Sequence, residues 1–149
     1  MIKLTDIEIK RINHNSPEYK AALVLRYLIL RQPLGLTFSD EQLKSEADSY
    51  HIGSYLDGKL IACLVLKPLD NHQIQMRKVA VDSLFQRSGV GSELVCYSET
   101  LAKQLDFKEM ILHARETVVP FYERLKYSKV GDRFTEITLP HWLMLKSLL

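Results

Sequence analysis

The chemistry-bearing part of the chain is the short stretch Gln86-Arg87-Ser88-Gly89-Val90-Gly91-Ser92. An apolar run, Val79-Ala80-Val81, precedes it. After it Val90, Leu94, Tyr97, Leu101 and Leu105 recur at helical spacing. The start of a helix carries N–H groups without intrahelical partners, and the helix dipole adds partial positive charge there, so this arrangement binds anions. Gly89 and Gly91 have no side chains to hold a phosphate away. Ser88 and Ser92 bring hydroxyl donors and Arg87 a cation, so the stretch suits a diphosphate. A nucleoside triphosphate loop would end in Gly-Lys-Ser/Thr, and no lysine follows either glycine. The dinucleotide fingerprint needs three glycines in a doubly wound parallel setting, whereas two glycines stand here behind strands in meander order. A tight turn whose glycines allow close helix–strand packing remains open as the other reading of these residues.

The elements that must position this loop follow from periodicity and turn chemistry. "DIEIKRI" reads as a first strand. Ser16 then serves as N-cap, with Pro17 opening a buried helix that runs to Gln32 and stops at Pro33. "PLGLTF" is a loop, and "SDEQLKSEA" a short helix with Ser39 as N-cap and Gln42 at the capping-box position. "HIGSYLD" and "KLIACLVLK" flank Asp57-Gly58, a hairpin signal. "PLDNH" turns into the strand "QIQMRKVAV". A helix from about Gly89 to Leu105 follows the glycine loop, then a strand, "EMILHA", and a helix, "VVPFYERLK", with Pro120 in its first turns. "YSKVG" and "ITLPHWLMLKSL" close the chain as strands. The order β-α-α-β-β-β-α-β-α-β-β predicts a mixed α/β class. It has a single central, mainly antiparallel sheet of six to seven strands with helices on both faces.

At 149 residues the expectation is one domain, residues 1–149. Net charge is +2 with acids and bases interspersed, which argues against a nucleic-acid binder and its basic stripe. "MIKLTDIEIK" has no apolar h-region, and "AALVLRYLIL" is short and broken by Arg26, so neither a signal peptide nor a membrane span is expected. Cys63 and Cys96, each in an apolar segment, read as reduced core thiols of a cytoplasmic protein. The five histidines show no metal-ligand spacing, so no metal is expected. No Ser-His-Asp or Cys-His arrangement is supported.

Val79-Ala80-Val81 followed after four residues by Gln86-x-x-Gly89-x-Gly91 resembles motif A of the GNAT superfamily of N-acetyltransferases. "PFYERLKY", Pro120 to Tyr127, resembles that superfamily's second signature. "LHARETVVPFYERLKY" with "DRFTEITLPHWLMLKSL" further resembles small bacterial members that carry Ala-Arg before the Phe-Tyr and a Pro-His near the C-terminus. The resemblance implies an acetyl-CoA-dependent N-acetyltransferase with acetyl-CoA as co-substrate. The backbone amides of Gln86, Arg87, Ser88, Gly89, Val90, Gly91 and Ser92 would hold the coenzyme A diphosphate. The edge of Val79, Ala80 and Val81 would pair with the pantetheine arm. The strand 73–82 would splay from the strand 109–114 to open a V-shaped cleft for the thioester. The acceptor amine then attacks directly in a ternary complex, with a main-chain N–H near Val79–Val81 supporting the oxyanion. Tyr122, the tyrosine of the Phe-Tyr pair, would be the general acid for the leaving thiolate. Its other reading is an aromatic packed on the helix beside Phe121.

Two departures from the family pattern stand out. Lys126 occupies the usual glycine position, where a left-handed turn ends the helix. Arg115 occupies the position of an asparagine on the cofactor side, and either reaches a coenzyme phosphate or caps the strand end in solvent. The implied acceptor is a primary amine of a small molecule or peptide, and a homodimer is compatible with antiparallel edge strands. Candidate bases are Glu46, Asp48 and Glu136, each also readable as a solvated surface acid. His141 either lines the acceptor site or is structural. Arg31, Gln32, Phe38, Tyr50 and Trp142 are expected around the acceptor. The other readings are a non-catalytic acyl-CoA-binding or interaction module on the same fold, and transfer from a different acyl donor.

Overall fold

The computed structural model describes residues 3–37 and 39–149, apart from the side chains of Asp40 and Glu41. Its elements are β1 (Ile7–Ile12), α1 (Pro17–Arg26), α2 (Asp40–Lys44), β2 (Tyr50–Leu56), β3 (Lys59–Pro68), β4 (Gln73–Val81), α3 (Val90–Gln104), β5 (Glu109–Arg115), α4 (Val119–Arg124), β6 (Ser128–Glu136) and β7 (Leu139–Ser147). The class is mixed α/β, with one seven-stranded, mostly antiparallel sheet in the order β1-β2-β3-β4-β5-β7-β6. The parallel pair is β4 with β5, from Gln73↔Glu109 to Met76↔Leu112. A parallel pair needs a long crossover, and α3 supplies it. The chain divides into two compact units. One holds the chain up to Lys67 with Lys78–Ser98, the other Pro68–Arg77 with Glu99–Leu149.

In the first unit β1, β2 and β3 form an antiparallel meander, and Asp57 (φ 51°) and Gly58 (φ 78°) make its left-handed two-residue turn. α1 starts where the Ser16 side chain accepts from the Tyr19 N–H at 3.2 Å, with Pro17 in the first turn. Its apolar side, Tyr19, Ala22 and Leu25, packs with Ile12, Cys63 and Ala80. Burying one leucine contributes about 1.5–3 kcal/mol. Gly53 is required by close approach, since a Cβ there would lie 2.7 Å from Leu60 Cδ1 and 2.8 Å from Ile12 Cδ1. The helix expected to run to Gln32 changes pitch at Tyr27. Tyr27–Arg31 is a π-helical turn, with the Gln32 N–H on the Tyr27 carbonyl, and Gly35 (φ 69°) ends a short 3-10 turn after it. The i→i+5 spacing of a π turn brings Arg26 and Arg31, both buried, to one side. α2 begins with the expected capping box: Ser39 N–H donates to Gln42 Oε1 (2.9 Å) and Gln42 N–H to Ser39 Oγ (3.1 Å).

A polar cluster is sealed inside this unit. Arg26 Nη1 and Nη2 donate to the two carboxylate oxygens of Glu46 at 2.7 and 2.6 Å, and the Tyr19 hydroxyl donates to Oε1 at 3.2 Å. His51 Nε2 donates to the Glu46 carbonyl at 2.9 Å. The His14 ring lies 4.5 Å from that of Tyr19. Burial raises the Glu46 pKa, but the Arg26 hydrogen bonds and charge outweigh it, and the carboxyl rests below its usual range. Burial lowers His51 and pushes Cys63 up to about 12, and burial followed by the Glu46 charge pushes Tyr19 up to about 12.

In the second unit β5, β7 and β6 form the antiparallel part, over a core that includes Ile74, Met76, Met110, Leu112, Tyr122 and Met144. Glu99 of α3 accepts from the Tyr127 hydroxyl (2.8 Å) and Lys146 Nζ (2.9 Å). β6 is longer than the short strand expected at 127–131. It continues to Glu136 because Gly131 (φ 74°) and a register shift between Val130 and Phe134 absorb the interruption. Ile137 (φ 51°) and Thr138 (φ 64°) make the tight turn into β7, so β7 starts at Leu139 rather than Ile137. Cys96 departs from expectation in being exposed, because it sits on the outer side of α3, whereas Cys63 is buried.

The cluster in the first unit fixes a pH window. His51 and Glu46, with lowered folded-state values, stabilise the fold above their unfolded values of 6.5 and 4.5. That stability is lost as pH falls through the folded values. Cys63 and Tyr19, with raised values, give stability that is present below 9.0 and 10.0 and lost as pH rises towards about 12. Urea denaturation across pH should therefore show a plateau between about 6.5 and 9, with falls on both sides. Stability that keeps increasing from pH 9 to 11 would contradict this reading.

Candidate functional site

The residues singled out fall in both units, and each group is built locally. In the first unit, β4 runs out at Val81, whose carbonyl accepts from Gln86 Nε2 at 3.0 Å. Asp82 caps a single 3-10 turn, Ser83–Phe85, by accepting from the Leu84 N–H. Ser88 Oγ donates to the Phe85 carbonyl. Arg87 (φ 62°) and Gly89 (φ 90°) are both left-handed, and alternation of that kind with ordinary residues turns successive N–H groups to one side as an anion nest. The first bond inside α3 runs from the Glu93 N–H to the Gly89 carbonyl at 3.0 Å. The earlier amides of the helix start have no intrahelical acceptor. The Gln86 and Ser88 side chains hold the loop's shape. Arg87 stays exposed beside them.

Ala80 is buried, and Val79 and Val81 are half-buried. Just before them Lys78 takes φ 56° within the strand, a left-handed conformation of the kind found in β-bulges. Nothing in the residue type announces it, since lysine has no preference for that conformation.

In the second unit Tyr122 is 6% exposed, on α4, with its ring 5.0 Å from Phe121 and 5.7 Å from Tyr127. Burial pushes its hydroxyl above the usual phenol value, so at neutral pH it is a proton donor and not a base. The departure at Lys126 resolves in the helix end. The Tyr127 N–H returns to the Tyr122 carbonyl and the Lys126 N–H to the Glu123 carbonyl, both at 3.0 Å. This is the Schellman ending a glycine would make, and Lys126 adopts it at φ 77°. Lys146 Nζ also donates to the Leu125 carbonyl at 2.8 Å, tying that terminus down.

Arg115 ends β5 opposite His141 of β7. Burial lowers its pKa, and neighbours within the protein already engage it. Of the candidate bases, Glu46 is not a surface acid. It is 7% exposed and committed to Arg26, a correction that follows from a partner 20 residues away. Asp48 is exposed. Glu136 accepts from His113 Nδ1 at 3.0 Å and lies 3.6 Å from His141 Nε2. His113 escaped sequence reasoning; strand register was the signal that could have found it, because it lies two residues before Arg115 on β5. Of the expected acceptor residues, Arg31 is buried, Gln32 exposed and Tyr50 half-buried under Arg11. Trp142 donates to Glu116 at 3.4 Å. Phe38 lies outside the described residues. Among the described residues no group of three or more His, Cys, Asp or Glu side chains could hold a metal ion, and no helix is long and apolar enough to cross a membrane.

The parallel pair of β4 and β5, joined through the glycine loop and α3 inside a mostly antiparallel sheet, defines the mixed α/β architecture of the chain. The sequence pattern of the Acetyltransferase (GNAT) family matches residues 16–127, and the chain belongs to that family. A Xenopus tropicalis protein named Probable N-acetyltransferase 14 is 28% identical over 104 residues, covering 64% of this chain and 50% of that relative, so the chain spans half its length. A Lactobacillus plantarum protein designated an N-acetyltransferase superposes with a TM-score of 0.85 at 25% identity, over 96% of this chain and 99% of that one. An Elizabethkingia anophelis GNAT family acetyltransferase, solved with acetyl-CoA bound, gives a TM-score of 0.74 at 17% identity over 95% and 98% of the two chains, and so shares the fold.

A left-handed non-glycine residue costs about 1–2 kcal/mol, partly offset by the greater chain entropy of glycine. Lys126→Gly should therefore stabilise the protein by about 1 kcal/mol in urea denaturation. A loss of stability would show that the Lys126 side chain contributes more than its backbone strain removes.

Proposed function

We propose that the protein transfers an acetyl group from acetyl-CoA to a primary amine of a small molecule or peptide, by direct attack in a ternary complex. The observation that carries this reading is the loop from Gln86 to Ser92. Its two left-handed residues, Arg87 and Gly89, lead from the end of a strand into the start of α3, where the first amides have no intrahelical acceptor, in a chain of the GNAT family. A structural neighbour with acetyl-CoA bound adds support.

In this reading the amides of residues 86–92 hold the coenzyme diphosphate and the exposed Arg87 adds charge. Val79, Ala80 and Val81 offer main-chain groups to the pantetheine amides. A main-chain N–H near Val79–Val81 supports the oxyanion as it forms. Arg115 ranks behind these groups, since neighbours already engage it. The acceptor nitrogen forms its bond to the carbonyl carbon and the carbon–sulfur bond breaks. Tyr122 gives its proton to the departing sulfur while the nitrogen's surplus proton restores the phenol. Burial keeps Tyr122 neutral, so the hydroxyl is in the donating form throughout the neutral range. A thiol has an ordinary value near 8.5, so complete transfer from a raised phenol is uphill. The two proton movements must therefore be coupled.

Thermal unfolding with acetyl-CoA, coenzyme A, ATP and NAD in parallel tests the donor. A ligand at a hundred times its Kd adds about 2.7 kcal/mol. The two coenzyme A species alone should raise Tm by several degrees, and equal behaviour of all four ligands would overturn the reading. Tyr122→Phe should lower kcat by about 100-fold with the acetyl-CoA Kd unchanged. Unchanged turnover would remove Tyr122 from the chemistry, and coenzyme binding without turnover of any amine would point to a binding module.

A further inference from the structure

Among the described residues, Glu46, Glu99 and Glu136 differ in what holds each carboxylate. Glu46 is clamped in two places by an arginine, and Glu99 is held by a lysine and a tyrosine. A carboxylate bound to a permanent cation cannot take a proton without losing that pair. Glu136 is different, because its partners are two imidazoles. His113 Nδ1 on β5 donates to Oε1 at 3.0 Å, and His141 Nε2 on β7 lies 3.6 Å from Oε2. His141 is 4% exposed, and its other nitrogen, Nδ1, donates to the Leu139 carbonyl at 2.9 Å. Both nitrogens of that ring thus face acceptor oxygens, which fixes its orientation. The Glu136 side chain is 40% exposed and that of His113 34%, so the carboxylate is held yet open to solvent.

Phe134 completes the group. Its ring stacks on His141 at 5.9 Å and meets His113 edge-on at 5.2 Å. A carboxylate beside an aromatic ring attracts an ammonium group through charge and cation–π contact. Charged groups on the same strands and the turn after β5 include Arg115, opposite His141 in register, Asp132 of β6, the Glu116–Arg133 pair at 3.3 Å, and Lys129 over Trp142. The β4·β5 register ends at Met76↔Leu112, and His113 is the next residue of β5.

We propose that Glu136 is the general base that takes the proton of the acceptor's ammonium group, with His113 and His141 as positioning residues. The proposal rests on the acetyl-transfer reading. R–NH3+ gives one proton to the Glu136 carboxylate, and the neutral amine forms its bond to the acetyl carbon as the carbon–sulfur bond breaks. Glu136 returns that proton to water. The nitrogen's second proton balances the one the sulfur receives, so one proton is released per turnover.

The test combines calorimetric titration with acetyl-CoA and thiol release from acetyl-CoA, with 2-phenylethylamine, spermidine and a lysine-bearing peptide as probes. In the wild type at least one probe should accelerate release. Glu136→Gln should bind acetyl-CoA as the wild type does, yet lose about 100-fold in kcat/KM near neutral pH. That loss should shrink about tenfold per pH unit on the alkaline side, as the neutral fraction of the amine grows. His113→Ala, which removes a donor to the carboxylate, should move the acid limb of the rate profile to higher pH. A loss of the same factor at every pH, no loss, or no amine-dependent release despite acetyl-CoA binding would overturn the assignment of Glu136. Failure of the wild type to bind acetyl-CoA would instead bring down the acetyl-transfer reading itself.

Discussion

A parallel pair of strands cannot be closed by a hairpin, and much of this molecule's arrangement follows from that constraint. β4 and β5 are parallel neighbours, so the chain must leave β4, travel back as α3 and re-enter as β5. The helix start is thereby delivered to the C-terminal end of β4, where its unpaired amides have no strand to bond. A hairpin at this place would have consumed the same backbone groups internally. The left-handed residues Arg87 and Gly89 then decide where those amides point.

The parts of the chain governed by local chemistry were legible in the sequence. Ser16, the Ser39–Gln42 box and Asp57-Gly58 act within three or four residues, and each does what its side chains dictate. Features that depend on distant partners were not legible. Glu46 looks like a solvated acid until Arg26 is folded against it, and the widened turn after Arg26 is tied to the burial of two arginines. The closing hairpin was hidden for another reason. Ile137 and Thr138 occupy left-handed positions that their residue types disfavour, so the turn carries no signal of its own.

The candidate site divides in the same way. Its glycine loop is announced by residue type, because only a few residues tolerate that backbone. Lys78 and Lys126 take comparable conformations without such a signature, and the long-range contacts around them must outweigh the cost. The Glu136 group is a product of strand register. Glu136 and His141 flank one hairpin, but His113 is 23 residues away from Glu136 and meets them only when β5, β7 and β6 align. Histidine partners make this carboxylate chemically unlike Glu46. One is paired with imidazoles at the edge of the sheet, while the other is fixed by an arginine as a structural charge.

The irregular course of β6 bears on how the protein behaves at high concentration. β6 is the outermost strand of the sheet, and almost all of its residues are exposed, which leaves one row of backbone groups without a neighbouring strand. A straight strand in that position is a template on which another chain can polymerise. Here Gly131 and the register shift between Val130 and Phe134 break the repeat midway, and Lys129, Asp132 and Arg133 place charge along it. A neighbouring chain could match only a few residues before falling out of step. The same interruption that lets β6 reach Glu136 therefore makes this edge of the sheet a poor surface for fibril growth.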